Sequence, residues 1–355
     1  MNHTWKQNWK DSKKRYLDWW KGKGLVISMW EHLKKEGKPH EPINPPLPQK
    51  DINQYWFDPD WRAKYLHYQL SQSSFKADIL PVANTQLGPG SLAAILGAEL
   101  EGGEDTIWIK HKDNFGDEIS FDEKNKWWQL HLDLLKACKK YSQERYFVGC
   151  PDLIEGLDTL ASLKGTQAVL TDMLLRPEVL EIQLQKVNDI YFRVFDTIYE
   201  IIREEDEMAF CYFSIWGPGK VSKLQSDISG MISEDDFRRF ALPYLREQCQ
   251  EIDYTLYHLD GVDAIRHLDA ILEIDELNAV QWTPGEGEPQ GGDQRWYDLY
   301  KKIRAKGKSI MPCWVENSEL KPLLDNVGAE GLNILMHFKS EKEIDEALKI
   351  ADEYR

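Results

Sequence analysis

The sequence predicts an α/β fold, a parallel (β/α)8 TIM barrel with an N-terminal helical extension, and three observations carry that prediction. From residue 60 onward, helical patterns of three or more turns alternate with short apolar runs, and strand followed by helix, repeated, means a parallel sheet. The runs end in polar residues, as barrel strands do where their C-terminal rim carries a site. A doubly wound sheet, the other fold of this pattern, would place a GxGxxG phosphate loop after its first strand; LGPGSLAAILG at 87–97 is the nearest approach and is too loose. At 355 residues the chain is long for one core but ordinary for one barrel.

The elements follow in order. Residues 1–60 are read as a helical and proline-rich extension packed on the barrel. Trp5, Trp9, Tyr16, Trp19 and Trp20 recur there at helical spacing among Lys6, Lys10, Lys13, Lys14, Arg15, Lys21 and Lys23, which favours a packed helix over a nucleic-acid or membrane arm. PINPPLP at 42–48 excludes a helix or central strand. Residues 61–355 form the barrel. Its strands are expected at 77–83, 106–109, 146–149, 208–214, 255–258, 279–282, 309–312 and 332–336. Helices are expected at 125–140, 177–203, 234–251, 261–271, 295–305, 318–327 and 340–354. Ser233 with Asp236, and Ser340 with Glu343, place a capping hydroxyl three residues ahead of a carboxylate.

Composition narrows the function. Hydrophobic residues make up 42% and charged residues 29%, enough for a large core under an ordinary hydrated surface. A net charge of −16 argues against nucleic acid or anionic membrane as partners. No apolar run approaches the length of a membrane span or a secretion signal, and the scattered Cys138, Cys150, Cys211, Cys249 and Cys313 suit reduced thiols, so a cytoplasmic location is expected. The 14 Trp residues, with Asp152 and Asp260, raise a carbohydrate cleft, but no glycosidase motif accompanies them.

The polar residues that end the runs are the candidate site: Asp78 and Asn84, Asp152, Trp216, His258 with Asp260, Gln281 with Trp282, Cys313 with Glu316, and His337. YHLDG at 257–261 is the sharpest signal. A His and a carboxylate two positions apart on a strand point to the same side. They can hold a divalent metal or form an oriented base; alternatively, Asp260 caps the next helix while His258 is bonded inside the barrel. A metal would need a further ligand from a distant strand, with Cys313, Glu316 and His337 as donors and zinc as a suitable ion. Asp227, in LQSDIS, is read as a loop organiser or substrate contact. The Gly- and Pro-rich loop at 281–296 suits a lid or a backbone-lined wall.

Four segments carry a family resemblance. FKADIL at 75–80 is similar to the FSDIL segment that holds the catalytic aspartate of uroporphyrinogen decarboxylase. SDISGMISEDDFRRFALPYL at 226–245 resembles that family's Asp … Ser-Pro-Glu-x-Phe … Pro-Tyr stretch. YHLDG stands where the related methylcobamide:thiol methyltransferases carry His-x-Cys-Gly, and GLNILMHFKSEKEIDEALKIADEY at 331–354 occupies the place of their last strand and helix. From Phe75 onward the chain resembles the uroporphyrinogen decarboxylase and corrinoid methyltransferase superfamily. The arginine signature RQAGR is replaced by ISMWEHLKKEG at 27–37, and the first zinc Cys by Asp260.

The resemblance implies metal-assisted methyl transfer involving a corrinoid or one-carbon substrate. On that reading His258, Asp260, His337 and Cys313 surround zinc. Asp78, Asp152 and Gln281 are catalytic, and Asn84, Trp216, Asp227 and Trp282 contact substrate. The chain lacks the cobalamin motif Asp-x-His-x-x-Gly, so a corrinoid would arrive as substrate or on a separate corrinoid protein. Two other readings stay open: a metal-free decarboxylase of a porphyrinogen-like or small aromatic acid using Asp78, and a non-catalytic corrinoid or tetrapyrrole binder.

Overall fold

The computed structural model describes residues 4–112, 115–154 and 156–355. Its strands are β1 (Leu25–Ser28), β2 (Val82–Ala83), β3 (Glu99–Gly102), β4 (Ile107–Lys110), β5 (Phe147–Cys150), β6 (Glu207–Phe210), β7 (Ile215–Pro218), β8 (Val221–Leu224), β9 (Tyr254–Asp260), β10 (Ala279–Thr283), β11 (Ser309–Val315) and β12 (Leu332–Met336). Six of them form one sheet in the order β1-β12-β11-β10-β9-β8, with every pairing parallel. A second sheet runs β2-β5-β6-β7, parallel except for the antiparallel β6–β7 pair. β3 and β4 form a separate antiparallel ribbon. Almost every residue of β9 to β12 is buried, as in parallel sheets covered on both faces.

The helices that cover the sheets end where their residues dictate. Asn125 accepts from the N–H groups of Trp127 and Trp128 and opens helix Lys126–Ser142. Ser233 and Ser340 each accept the N–H three residues on, as the sequence predicts. Glu316 and Glu319 form a reciprocal capping box at the start of Asn317–Val327. Helix Pro177–Ile202 buries Leu180, Leu184, Val187, Tyr191, Val194 and Ile198 at helical spacing along one side.

The N-terminal sixty residues do more than cap. Helix Trp9–Trp20 buries Trp9, Tyr16, Trp19 and Trp20, and β1 then pairs with the last strand, β12. Trp19 Nε1 donates to Ile310 O at 3.3 Å, and Ser309 donates to Trp19 O, so this helix lies under the N-terminal end of β11. The proline-rich 42–48 segment carries no helix or strand.

The structure corrects several expected elements: the 77–83 run is strand only at Val82–Ala83, with Ala77 at φ of 51°, and the 234–251 helix breaks at Ala241 into Glu234–Phe240 and Leu242–Glu251. The 106–109 run is not in the parallel series: among the described residues β4 pairs only with β3, antiparallel. The 208–214 run is not one strand: Phe213 and Ser214 adopt φ of 60° and 49° and reverse the chain, which returns as β7. The 261–271 helix is a 3-10 turn, Val262–His267, followed by Leu268–Ile271. Among the described residues, no helix is long and apolar enough to cross a membrane.

Candidate active site

Pleating decides which side chains share a face. In β9 and β10, His258 lies opposite Gln281 and Asp260 opposite Thr283, so these four project to one side. Lys223 is in register with Leu256, two residues before His258, and Gln281 with Met311, two before Cys313. Lys223, His258, Gln281 and Cys313 therefore form a row across four strands. Asp227 joins them from the 3-10 turn Asp227–Met231, which follows β8. Asp158 sets that turn: its carboxylate accepts the N–H of Asp227 at 2.7 Å and that of Ile228 at 3.0 Å.

One donor atom each from Asp227, His258 and Asp260 lies within 4.8 Å of the other two. Gln281 settles which nitrogen His258 offers. Its amide Nε2 donates to Thr283 Oγ1 at 2.9 Å, leaving Oε1 to accept from His258 Nδ1. The network thus assigns the proton to Nδ1 and leaves the Nε2 lone pair facing Asp260 Oδ2, 3.9 Å away. Burial, then Lys223, holds the imidazole down to about 3, so it is neutral at pH 7. An imidazole lone pair and two carboxyl groups then face one another.

The surrounding charge is lopsided. Lys223 Nζ pairs with Asp152 Oδ2 at 2.6 Å, with side chains 0% and 2% exposed, and also contacts Gln225 and the face of Tyr212. Asp152, Asp158, Asp227 and Asp260 all surround this one ammonium. The other Asp152 oxygen, Oδ1, is buried with no partner among the described residues. Loss of water in the cleft, then repulsion from Asp158, pushes Asp227 up to about 7, with Lys223 opposing. Loss of water also raises Asp260. Such a site is short of positive charge.

The expected residues divide sharply. Asp152, Asp227, His258, Asp260 and Gln281 converge. Cys313 is adjacent, donating its thiol to Trp282 O at 3.2 Å; burial pushes it up to about 12, so it is a poor source of thiolate. It is outside the converging donor set. So is His337, which lies 3.8 Å from Glu31 and against the Trp314 ring. Trp282, one residue out of phase with Gln281, turns to the other face and packs on Trp296 at 5.0 Å. Trp216 packs against Trp9 and Tyr16 of the N-terminal helix, and its carbonyl accepts from Trp20.

Asp78 is also elsewhere. It precedes β2, fully buried, and accepts from Ser12, Arg15, the Ile27 N–H and Arg355. That environment is a structural ion cluster with no free oxygen to offer a substrate. The 281–296 loop is pinned rather than free. Its Gly291 N–H donates to Cys313 O at 2.9 Å, Tyr300 donates to Gly291 O at 2.6 Å, and Trp296 to Pro289 O at 2.9 Å. A Cβ on Gly291 would stand 2.6 Å from Cys313 O, so the close approach requires glycine. Lys223, Asp158 and Tyr212 are site residues that the sequence reading missed.

A cleft of about 580 Å³ adjoins the row, walled by Trp30, Tyr55, Trp56, Trp61, Tyr65 and Trp314 and also lined by Asn84, Cys211 and Arg62. Trp30 packs on Tyr212 and Phe213 at 4.5 and 5.3 Å, and Phe213 lies 5.3 Å from His258, so one aromatic layer separates cleft and acidic residues.

No family model matches the chain, and no curated protein matches it in sequence. Among solved structures it is similar to a methyltransferase from Methanosarcina mazei, with a TM-score of 0.62 over 97% of this chain and 98% of that one, at 14% identity. A likeness at that identity is one of fold.

Proposed function

We propose that this chain is a methyl-transfer enzyme of the uroporphyrinogen decarboxylase and corrinoid methyltransferase type, with a divalent metal held by Asp227, His258 and Asp260. The observation that carries the reading is the convergence of one imidazole lone pair and two carboxyl groups in a site short of positive charge. The donors fit a borderline cation: one neutral imidazole and two carboxylates suit zinc without a thiolate. The full-length fold similarity to a methyltransferase supports the reaction class.

The fold enters the same proposal. The two sheets are read as one (β/α)8 barrel, closed where Asp78 N–H donates to Ile27 O at 2.8 Å beside β1 and where β8 follows the β7 turn. Residues 1–60 supply its lower cap and first strand. The site would then sit at the C-terminal rim, where barrel enzymes carry their chemistry.

A bound cation would supply Lewis acidity, lowering the pKa of an acceptor thiol or hydroxyl. The chain's own residues do the rest. Gln281 fixes the His258 tautomer; a partner of this kind raises metal affinity by holding its ligand in place. Asp158 positions Asp227 through its backbone. Lys223 and Asp152 set the field beneath the acceptor, and Tyr212 and Phe213 keep water from one side. A corrinoid methyl donor would come from a separate protein, and the five buried cysteines suit a cytoplasmic setting.

Elemental analysis of protein purified without a metal-affinity tag tests the reading. Near-stoichiometric zinc in the wild type, lost in His258→Ala, is expected. Wild-type protein that holds no zinc and regains none on addition refutes it.

A further inference from the structure

We propose that the aromatic cleft beside the acidic residues is the binding site for a small organic carboxylate with a flat, apolar body, its anion paired with Arg62. The inference extends the methyl-transfer reading by naming its substrate class and rests on that reading only for the claim that the bound molecule reacts.

Arg62 is the anomaly. It projects from helix Pro59–Ser71 and is only 8% exposed, yet among the described residues no carboxylate pairs with it. Its hydrogen bonds go to main-chain carbonyls alone: Nη1 to Gln86 O at 3.1 Å and Trp56 O at 3.4 Å, and Nη2 to Asn84 O at 3.5 Å. A guanidinium carries five N–H donors and cannot shed its proton in a protein. Long contacts to neutral carbonyls leave donors under-used and the buried charge unbalanced, although buried charges are ordinarily paired. The remaining approach to it is the cleft that it lines.

The walls define the rest of the ligand. Rings surround the space, with Arg62 already lying 5.3 Å over the face of Trp56. Opposed rings favour a flat apolar body, and a planar fork matches a carboxylate through two parallel bonds. Glu31 also lines the cleft but is half exposed beside His337, where it would repel a second anionic group at that end. A phosphate ester would bring more negative charge than one guanidinium balances. A quaternary ammonium suits aromatic boxes in general, but here it would meet a fixed cation. The cleft opens at the ends of β1, β2, β6 and β11, the same ends from which the acidic row projects. A ligand anchored on Arg62 thus has its far end directed toward the layer of Tyr212 and Phe213 that borders His258.

One backbone strain lies in this wall. Trp314 has φ of 59°, a conformation that bulky residues rarely adopt without compensation.

The test is a titration of intrinsic Trp fluorescence with benzoate, benzamide and tetramethylammonium, each in EDTA. Benzoate should saturate, with benzamide weaker by about tenfold or more, the loss expected when a charge-assisted pair becomes neutral. Arg62→Met should weaken benzoate by a similar factor, and Arg62→Lys, which keeps the charge but not the fork, by less. His258→Ala should leave benzoate binding unchanged, so loss of the metal reading and loss of this one are separable. If Arg62→Met does not fold, the contrast between benzoate and benzamide on the wild type decides alone. Equal binding of the two, no saturation by benzoate, or a preference for tetramethylammonium overturns the proposal.

Discussion

Replacing Asp227 by Asn removes one charge from the acidic row while keeping its shape, and the expected effect changes sign with metal. The Asp227 carboxyl is pushed up to about 7. An unfolded aspartate titrates near 3.9, so between about pH 4 and pH 7 the folded chain holds a proton that the unfolded chain has released. Stability therefore falls as pH rises through that window, and the full deficit is present by about pH 8. A shift of roughly three units sets an upper limit of about 4 kcal/mol. The residue is exposed at the rim, so screening by water reduces this to about 1–2 kcal/mol. Metal-free Asp227→Asn should be more stable than the wild type by that amount at pH 8 and equal to it at pH 4. Zinc at a hundredfold excess over its dissociation constant should add about 2.7 kcal/mol to the wild type and far less to the variant, which lacks an anionic ligand. Urea unfolding at pH 4, 6 and 8, in EDTA and in zinc, reads both effects. A variant less stable than the wild type in EDTA at pH 8 would refute the repulsion argument. Equal stabilisation of both proteins by zinc would remove Asp227 from the ligand set.

Two further substitutions separate architecture from chemistry. Asp78→Asn leaves the partly exposed Arg15 and Arg355 beside a neutral amide and should lower stability in urea unfolding, by less than the about 3–5 kcal/mol of a fully buried pair, with zinc content per folded molecule unchanged; loss of zinc without loss of stability would contradict the structural assignment. Gln281→Ala frees His258 to take either tautomer and should weaken zinc binding by about 10- to 100-fold in a competition titration, while an unchanged affinity would show that the tautomer is fixed by something else.

The C-terminal half of the fold is legible in the sequence because each strand there is a short apolar run closed by a helix cap. The expected runs at 279–282, 309–312 and 332–336 fall inside or on β10, β11 and β12, and that at 255–258 inside β9. The first half hides its topology for physical reasons. MAFCYFSIW, at 208–216, is one apolar run without Gly, Pro or Asn, so nothing in it announces a turn; the reversal is made by Phe213 and Ser214 at positive φ. β8 is missed because Lys223 interrupts VSKL, and a lysine in a short run reads as surface when its partner, Asp152, is 71 positions away. β1 is four residues, LVIS, within a stretch that looks like an extension until it pairs with β12.

The same period of two that exposes His258 and Asp260 also separates Gln281 from Trp282, which cannot both face the site from one strand. Phase was therefore available in the sequence, whereas the convergence of Asp227 was not, because it depends on Asp158 holding a turn from another element. Pleating and packing do not account for several costly features at this rim. Ile154, Phe213, Ser214 and Trp314 all take positive φ just after or within the ends of β5, β6 and β11. Among the described residues, Asp152 Oδ1 is buried unpaired there, and Arg62 is buried without a counter-ion beside the same strand ends. Each feature lowers stability. On the proposed readings a ligand would relieve these features: a cation for the acidic row, and an anion for Arg62.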